Sequence, residues 1–425
     1  MTEEIVFDIE KNYKRYYGPI FSFFYLFEGI HQAIPVILPY YLLLVFGEYN
    51  IAFMALILFT STLPWSFKMI VGLINDKWGS DKWGRRFPFV LTCGCVAGVT
   101  WIIMTFTLPL DQTIYYYLIF YVIIANFGMA FADTSLDGLI LDVTPKTKLA
   151  KVQGYTWTML MLGTAGAAAL GLLFYWLEIV PLLFLITGIS VIISSIMVYY
   201  IKEPPLKEDL EIVEDLKRLV KEKRNWKVFT WTLITAMVYP IIFLTFFYYM
   251  LVTMGIINVS EAILSLQSGQ STDAFIIWSI IVNGVGGVGI VLGSLIFGRL
   301  ADKNRKKSML TIYAIYIPSL LVSSLLFGIL GIIGHILFGL VYGAVTVVGQ
   351  TIRGDIAKKN FPDLKSTYYA LLVSFSNLGQ ALGNLTIAFI FSNISQVIQD
   401  FFVLYFIVTL VCSAILFLSL LTFRT

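Results

Sequence analysis

Long apolar runs, each ended by a short polar stretch, repeat from one end of the chain to the other. Each is about long enough to cross roughly 30 Å of hydrocarbon as a helix. The pattern predicts twelve spans, near residues 17–46, 51–74, 87–108, 114–142, 152–175, 180–201, 228–254, 275–297, 309–330, 334–356, 366–391 and 401–423. The one long polar interval, 202–227, sets Leu206, Leu210, Val213, Leu216 and Val220 at helical spacing among charges. That is the pattern of an amphipathic helix lying on a membrane surface. It predicts an N-terminal six-helix bundle (1–201), a surface linker (202–227) and a C-terminal six-helix bundle (228–425). Two readings of the linker stay open, packing on the bundle and a regulatory binding site.

Composition agrees. Of 425 residues, 58% are hydrophobic and 13% charged, against about a quarter charged in soluble proteins. The expected fold class is all-α, integral to the membrane, with the lipid bilayer as partner and no nucleic acid. Basic residues fall in the N-terminal tail, at the C-terminus, or in and beside the loops after the even-numbered spans. Loops such as "FGEYN" and "LPLDQT", after odd-numbered spans, contain none. Positive charge is retained inside, so both termini are expected to be cytoplasmic in a multi-pass protein of the cell membrane. The start, "MTEEIVFDIEKNYKRYYG", has no short apolar segment with a cleavage site and reads as a cytoplasmic tail, not a signal peptide. Cys93, Cys95 and Cys412 lie inside apolar spans and read as core packing; no metal or cofactor is expected.

The densest charge sits in "KMIVGLINDKWGSDKWGRRFPF", residues 68 to 89. Its "GLINDK" (Gly72–Lys77) is echoed by "GRLADK" (Gly298–Lys303), each between the second and third span of its half. A weaker echo joins Asp142 to Asp355, each ending a span before a short basic loop. Two six-helix repeats are the architecture of a rocking secondary transporter.

This duplicated Gly-x-x-x-Asp-Lys element with basic residues after it resembles the signature loop of the major facilitator superfamily, and the resemblance covers essentially the whole chain. It departs in detail: Arg305 stands where the second copy usually has Gly, and in the longer first copy Gly84-Arg85-Arg86 lies downstream. The stretch "PWSFKMIVGLINDKWGSDKWGRRFPF" is similar to that of folate–biopterin transporters, as are "FADTSLDGLILD" and "KVQGYTW". Its Trp-Gly-Arg-Arg-x-Pro-Phe element is shared with sugar–cation (glycoside-pentoside-hexuronide) symporters and sucrose carriers. The Asp-containing fourth span is similar to muropeptide and acetyl-CoA transporters. The resemblance implies two pseudo-symmetric six-helix bundles and a cytoplasmic gate. In that gate Asp76 faces the start of span 11 and Asp302 the start of span 5. Gly72, Arg85, Arg86, Asp142, Gly298, Lys306 and Lys307 complete the latch. The bland alternative is a topogenic loop whose basic residues only anchor the membrane.

Ionisable groups inside a span are costly and usually functional. Span 1 carries Glu28, His31 and Gln32 at i, i+3 and i+4; span 4 carries Asn126, Asp133 and Asp137 on one stripe. Glu28 lies roughly 15–18 Å deep and Asp133 about 14 Å deep, so the stripes can meet near the midplane. By resemblance, spans 1 and 4 line the central cavity. Glu28 and Asp133 are candidates for cation or proton coupling, His31 for a relay or substrate contact, and Asp137 for coupling or a gate. A hydrogen-bonded network that only fixes the helices is the alternative. Gln32 and Asn126 join the cavity set. Lys68 and Arg353 can snorkel, hold an anionic group, or pair with Asp137 or Asp142. Asn377, Gln380 and Asn384 share a face of span 11, and Tyr239, Tyr248 and Tyr249 lie in span 7. Such groups suit a sugar or a flat heterocycle, and equally glue helices together. His335 opens span 10 and is expected at the interface. The glycine run "NGVGGVGIVLGSLIFG" reads as close helix packing.

The expected function is secondary active transport of a small polar organic molecule, pterin-, nucleoside- or sugar-like, by a monomer coupled to H+ or Na+. An uncoupled uniporter for a sugar or nucleoside-like solute is the rival. A channel needs a continuous polar pore, and an enzyme needs a catalytic constellation that two distant histidines do not supply.

Overall fold

The computed structural model describes residues 9–46, 51–78, 83–204, 212–256, 273–326, 328, 330–362, 364–390 and 400–422. Its regular structure there is helical, and helix occupies every segment expected to cross the membrane. Span 1 is α1 (Tyr17–Gln32) and α2 (Ile34–Phe46); span 2 is α3 (Ile51–Ser66) and α4 (Lys68–Lys77). The first half continues with α5 (Phe87–Thr107), α6 (Ile114–Val143), α7 (Leu149–Trp176) and α8 (Val180–Met197). A linker helix α9 (Ile212–Lys221) leads into α10 (Lys223–Thr253) and α11 (Asp273–Lys303). After them come α12 (Arg305–Ser323), α13 (Leu330–Asn360), α14 (Lys365–Phe389) and α15 (Phe401–Thr422). Eight of these helices are, each by itself, long and apolar enough to cross a membrane. The chain is therefore an all-α, multi-pass membrane protein.

The breaks in spans 1 and 2 have local causes. Ala33 ends α1 with its N–H turned back three residues to Ile30 O (3.1 Å), just before Pro35, which has no N–H to continue the ladder. Phe67 N–H likewise reaches only to Pro64 O (3.1 Å). The apolar pattern runs straight through both points and hides them. Gln32 thus closes one helix and Lys68 opens another, so polar side chains cluster where the helices are interrupted. Broken helices are how transporters place polar groups at membrane depth.

The chain packs as two compact units, Met1–Leu219 with Thr351–Ser374, and Val220–Gln350 with Phe375–Thr425. In the first, α1 lies directly on α7. Gly29 sits against the backbone of Leu160 and Thr164, and Gly163 against that of Leu26, so a Cβ at either position overlaps the partner helix. Thr164 Oγ1 donates to Gly29 O (3.1 Å) across the same contact. Between helices in lipid, such close approach replaces the hydrophobic drive that water supplies elsewhere. Ile34, Leu38, Trp101, Leu118 and Phe184 form the apolar end of this unit. In the second unit the glycine run packs as expected, with Gly289 and Gly293 of α11 against the α13 backbone at Ile336 and Leu340.

Two expectations need correction. The described linker helix is shorter than 202–227, and α10 already begins at Lys223. Val220 is 59% exposed while its neighbour Leu219 is buried, so Val220 does not face inward; Leu206 and Leu210, and the side chains of Val213 and Leu216, lie outside what is described. His335 is not interfacial. It is 1% exposed, set between Phe243 and Phe246 and against Gly286, because a small residue on α11 leaves room for the ring.

Candidate transport site and motif loop

Three helices of the first unit converge on a buried charged cluster. The α1 residues Tyr25, Glu28 and Gln32 lie on one face, as spacings of three and four require. The α6 residues Asn126, Asp133 and Asp137 lie on another, and Lys68 enters from the first turn of α4. Lys68 forms an ion pair with Asp133. It does not snorkel: only 4% of it is exposed, and its ammonium also lies 4.7 Å from the Trp65 ring centroid. Its acid partner is Asp133 and not Asp137 or Asp142.

The other carboxyls are held differently. Tyr25 donates its hydroxyl to Asp137 Oδ1 (2.7 Å), and Arg353 lies within electrostatic reach of the same group. Gln32 Nε2 donates to Glu28 Oε1 (2.7 Å). The second oxygen, Glu28 Oε2, is buried without a hydrogen-bond partner, and the Glu28 carboxyl lies against that of Asp133. Two carboxyls in contact and out of water repel each other, and the Lys68 ammonium on Asp133 offsets part of that repulsion. Among the described residues the cluster sets the carboxyls of Glu28, Asp133 and Asp137 against the cations Lys68 and Arg353, three acids to two cations.

Beyond Glu28, Trp101 Nε1 on α5 donates to His31 Nδ1 (2.8 Å), and His31 is fully buried. Asn126 is committed on both sides, accepting from Trp65 Nε1 (2.9 Å) and donating to Val122 O (2.9 Å). Trp65 and Tyr25 lie three positions from Lys68 and Glu28 in the sequence, but were not singled out there. Trp101 was not legible either, because nothing in an apolar span announces which indole meets a histidine.

The motif loop builds a second buried network. Asp76 Oδ2 accepts from the backbone N–H and the hydroxyl of Thr367 in the first turn of α14 (2.8 Å each). Its Oδ1 accepts from Arg86 Nη2 (2.6 Å). Arg86, wholly buried, also reaches Asp142 Oδ2 through Nε (3.0 Å), joined there by Arg85 (3.0 Å); Lys365 takes the other oxygen (2.6 Å). Burial works against the Arg86 charge, but Asp142 and Asp76 more than offset it and hold the guanidinium above its ordinary value. Gly72 has a steric role, since a Cβ there falls 2.8 Å from Thr367 Cα. Glu203, which no motif or spacing singled out, accepts from the backbone N–H groups of Arg85, Arg86 and Phe87 (2.7–3.1 Å) at the start of α5. Burial pushes its carboxyl up from the ordinary range while these three donors pull it back. It caps that helix from 116 positions away.

The second copy of the motif is plainer. Gly298 is buried, and Asp302 pairs with Arg305 one turn on (3.4 Å). Asn304 caps α12 by accepting from Lys307 N–H (2.8 Å), and the side chains of Lys306 and Lys307 are exposed. Asn377 and Gln380 are half-buried on α14, and Asn384 is exposed. Tyr239 stacks on Tyr342, and Tyr249 donates to Ser324 O (2.7 Å).

The sequence model of the Major Facilitator Superfamily matches residues 18–287. Comparison with curated protein sequences gave no match. Among solved structures, the chain is similar to a point variant of the Escherichia coli fucose:proton symporter FucP. The TM-score is 0.70 at 12% identity, covering 97% of this chain and 99% of that one. FucP in the outward conformation gives 0.66 at 13% identity, over 96% and 98% of the two chains. The human organic anion transporter MFSD10 (TETRAN) gives 0.64 at 13% identity, over 94% and 98%. At these identities the likeness shows the fold.

Proposed function

Because the chain belongs to the Major Facilitator Superfamily and is a membrane transporter rather than an enzyme, we propose that it carries a small polar organic solute by alternating access, coupled to a proton. The observation that carries this reading is Glu28. Its carboxyl is buried, keeps one oxygen unpartnered, and faces Asp133, which Lys68 already neutralises. A group in that position gains by binding a proton when the site opens to one side and by releasing it on the other. Lys68 also favours H+ over Na+. An ammonium already occupies the place on Asp133 that a second cation would need, whereas a proton adds to a carboxyl without demanding a coordination shell.

The motif-loop network supports a gate at the cytoplasmic side. Asp76 ties α4 to the start of α14 through charge-assisted hydrogen bonds, which are strong when made and can be exchanged as units. With both termini inside, the duplicated loop of Asp302 takes the matching role. The two six-helix bundles then move about the solute, as monomers of this fold do.

The solute is neutral or weakly basic, because a site with an excess of carboxyls repels a further anion. The test is uptake into proteoliposomes of a hexose, a nucleoside and a pterin, each under an inward proton gradient, an inward sodium gradient, or neither. Accumulation of one of them above the outside concentration under the proton gradient supports the proposal. Equilibration under every condition replaces it with the uniporter.

A further inference from the structure

Of the protein's two histidines, His31 is fully buried, and its Nδ1 accepts from Trp101 Nε1 (2.8 Å). An indole N–H can only donate. The nitrogen it meets must therefore offer a lone pair, which leaves the proton of a neutral imidazole on Nε2. Nε2 is buried without a hydrogen-bond partner, and so is Glu28 Oε2 one turn earlier on the same face. An orphaned donor and an orphaned acceptor thus stand on residues about 4.5 Å apart along the helix axis. Each costs free energy while it stays empty.

We propose that Trp101 locks His31 as a neutral Nε2–H donor that binds the transported solute, and that His31 is not a step in the proton path. A relay must take a proton on one nitrogen and release it from the other, and the Trp101 N–H blocks Nδ1 for that purpose. The solute is then a neutral molecule that presents an acceptor to His31 and, to Glu28, a group that accepts when the carboxyl holds its proton and donates when it does not. Adjacent hydroxyls of a sugar satisfy this. Among the described residues, the groups set against His31 from other elements are the Trp101 indole on α5 and Asn126 on α6, neither of them titratable; Glu28, one turn earlier on its own helix, is the nearest carboxyl in the sequence. Asn126 stands beside the ring with its amide on Val122 O and one lone pair of its Oδ1 on Trp65; the other lone pair is the competitor that a solute must displace or bypass to take the Nε2–H.

The inference rests on the proposed transport function for its solute, but not for its tautomer, so two measurements separate them. The first is ¹⁵N NMR of the detergent-solubilised full chain with labelled histidine, where His335→Gln leaves His31 as the single signal. His31 should show the neutral Nε2–H form from about pH 5 to about pH 8, and should begin to titrate in Trp101→Phe. An Nδ1–H tautomer, or titration in the native chain, overturns the proposal whatever the transport result. The second is uptake of the hexose, nucleoside and pterin by His31→Phe and His31→Gln. For the solute that is carried, His31→Phe should raise KM about tenfold, the loss of one neutral hydrogen bond. His31→Gln, which keeps an N–H, should recover part of it, and gradient-driven accumulation should persist in both. Loss of accumulation in His31→Phe makes His31 a relay, and an unchanged KM makes it structural. Either result defeats the assignment.

Discussion

Lys68 and Asp133 show what one pair of side chains does in this site. Both are buried, so removing Lys68 leaves the Asp133 carboxyl out of water, without its ion-pair partner and against the Glu28 carboxyl. Lys68→Met should lower stability by about 3–5 kcal/mol, and Lys68→Met/Asp133→Asn should recover most of that, because an uncharged pair has no desolvation to repay. Thermal unfolding in detergent checks both; equal loss in the single and double variants contradicts the pairing. The acids themselves were legible, since charges at i, i+3, i+4 and i+7 in an apolar span stand out against their background. Their partners were not. Lys68 lies 65 positions from Asp133 and Tyr25 lies 112 from Asp137, and no periodicity links residues across such distances. His335 was misplaced for a related reason: a polar residue at a span's edge reads as interfacial until Gly286 opens a space for it.

At the scale of elements, the start of α5 is fixed by Glu203 and Gly84 together. Gly84 has φ +82°, and a Cβ there falls 2.6 Å from Glu203 Cδ. Glu203→Ala should cost about 1–2 kcal/mol, as loss of a strong helix cap does. Glu203→Gln, which keeps an acceptor, should cost less. Gly84→Ala should cost at least as much as Glu203→Ala, because it adds about 1–2 kcal/mol of left-handed strain to a displaced cap. Unfolding midpoints of the three variants test that order. Gly29→Ala should separate α1 from α7 and shift Glu28, lowering the unfolding midpoint and the uptake rate together. Helix existence was readable throughout from length and apolarity. The interruptions at Ala33 and Phe67 were not: Pro35 and Pro64 are visible in the sequence, but a proline in a membrane span can kink, break or leave the helix nearly straight depending on what packs beside it.

For the whole molecule, the apolar repeat, the charge alternation and the duplicated loop made the membrane fold and the family readable from the chain alone. Which solute is carried was not readable, because the polar groups of α10 and α14 suit helix packing as well as binding. The Asp76 network gives a prediction of its own. Asp76→Asn weakens its bonds to Arg86 and to the start of α14, so it should slow initial uptake by roughly tenfold, the cost of one charge-assisted hydrogen bond. It should leave the final accumulation ratio unchanged, since that ratio is set by the proton gradient and the stoichiometry. A lowered final ratio would place Asp76 in the coupling path instead. The central claim is that Glu28, backed by Asp133, carries the proton. The most direct measurement is proton entry into proteoliposomes, followed by a trapped pH dye, when the transported solute is added outside without an imposed gradient. The account predicts acidification of the interior with the native chain, and none with Glu28→Gln although solute still equilibrates. Acidification that survives in Glu28→Gln would contradict it.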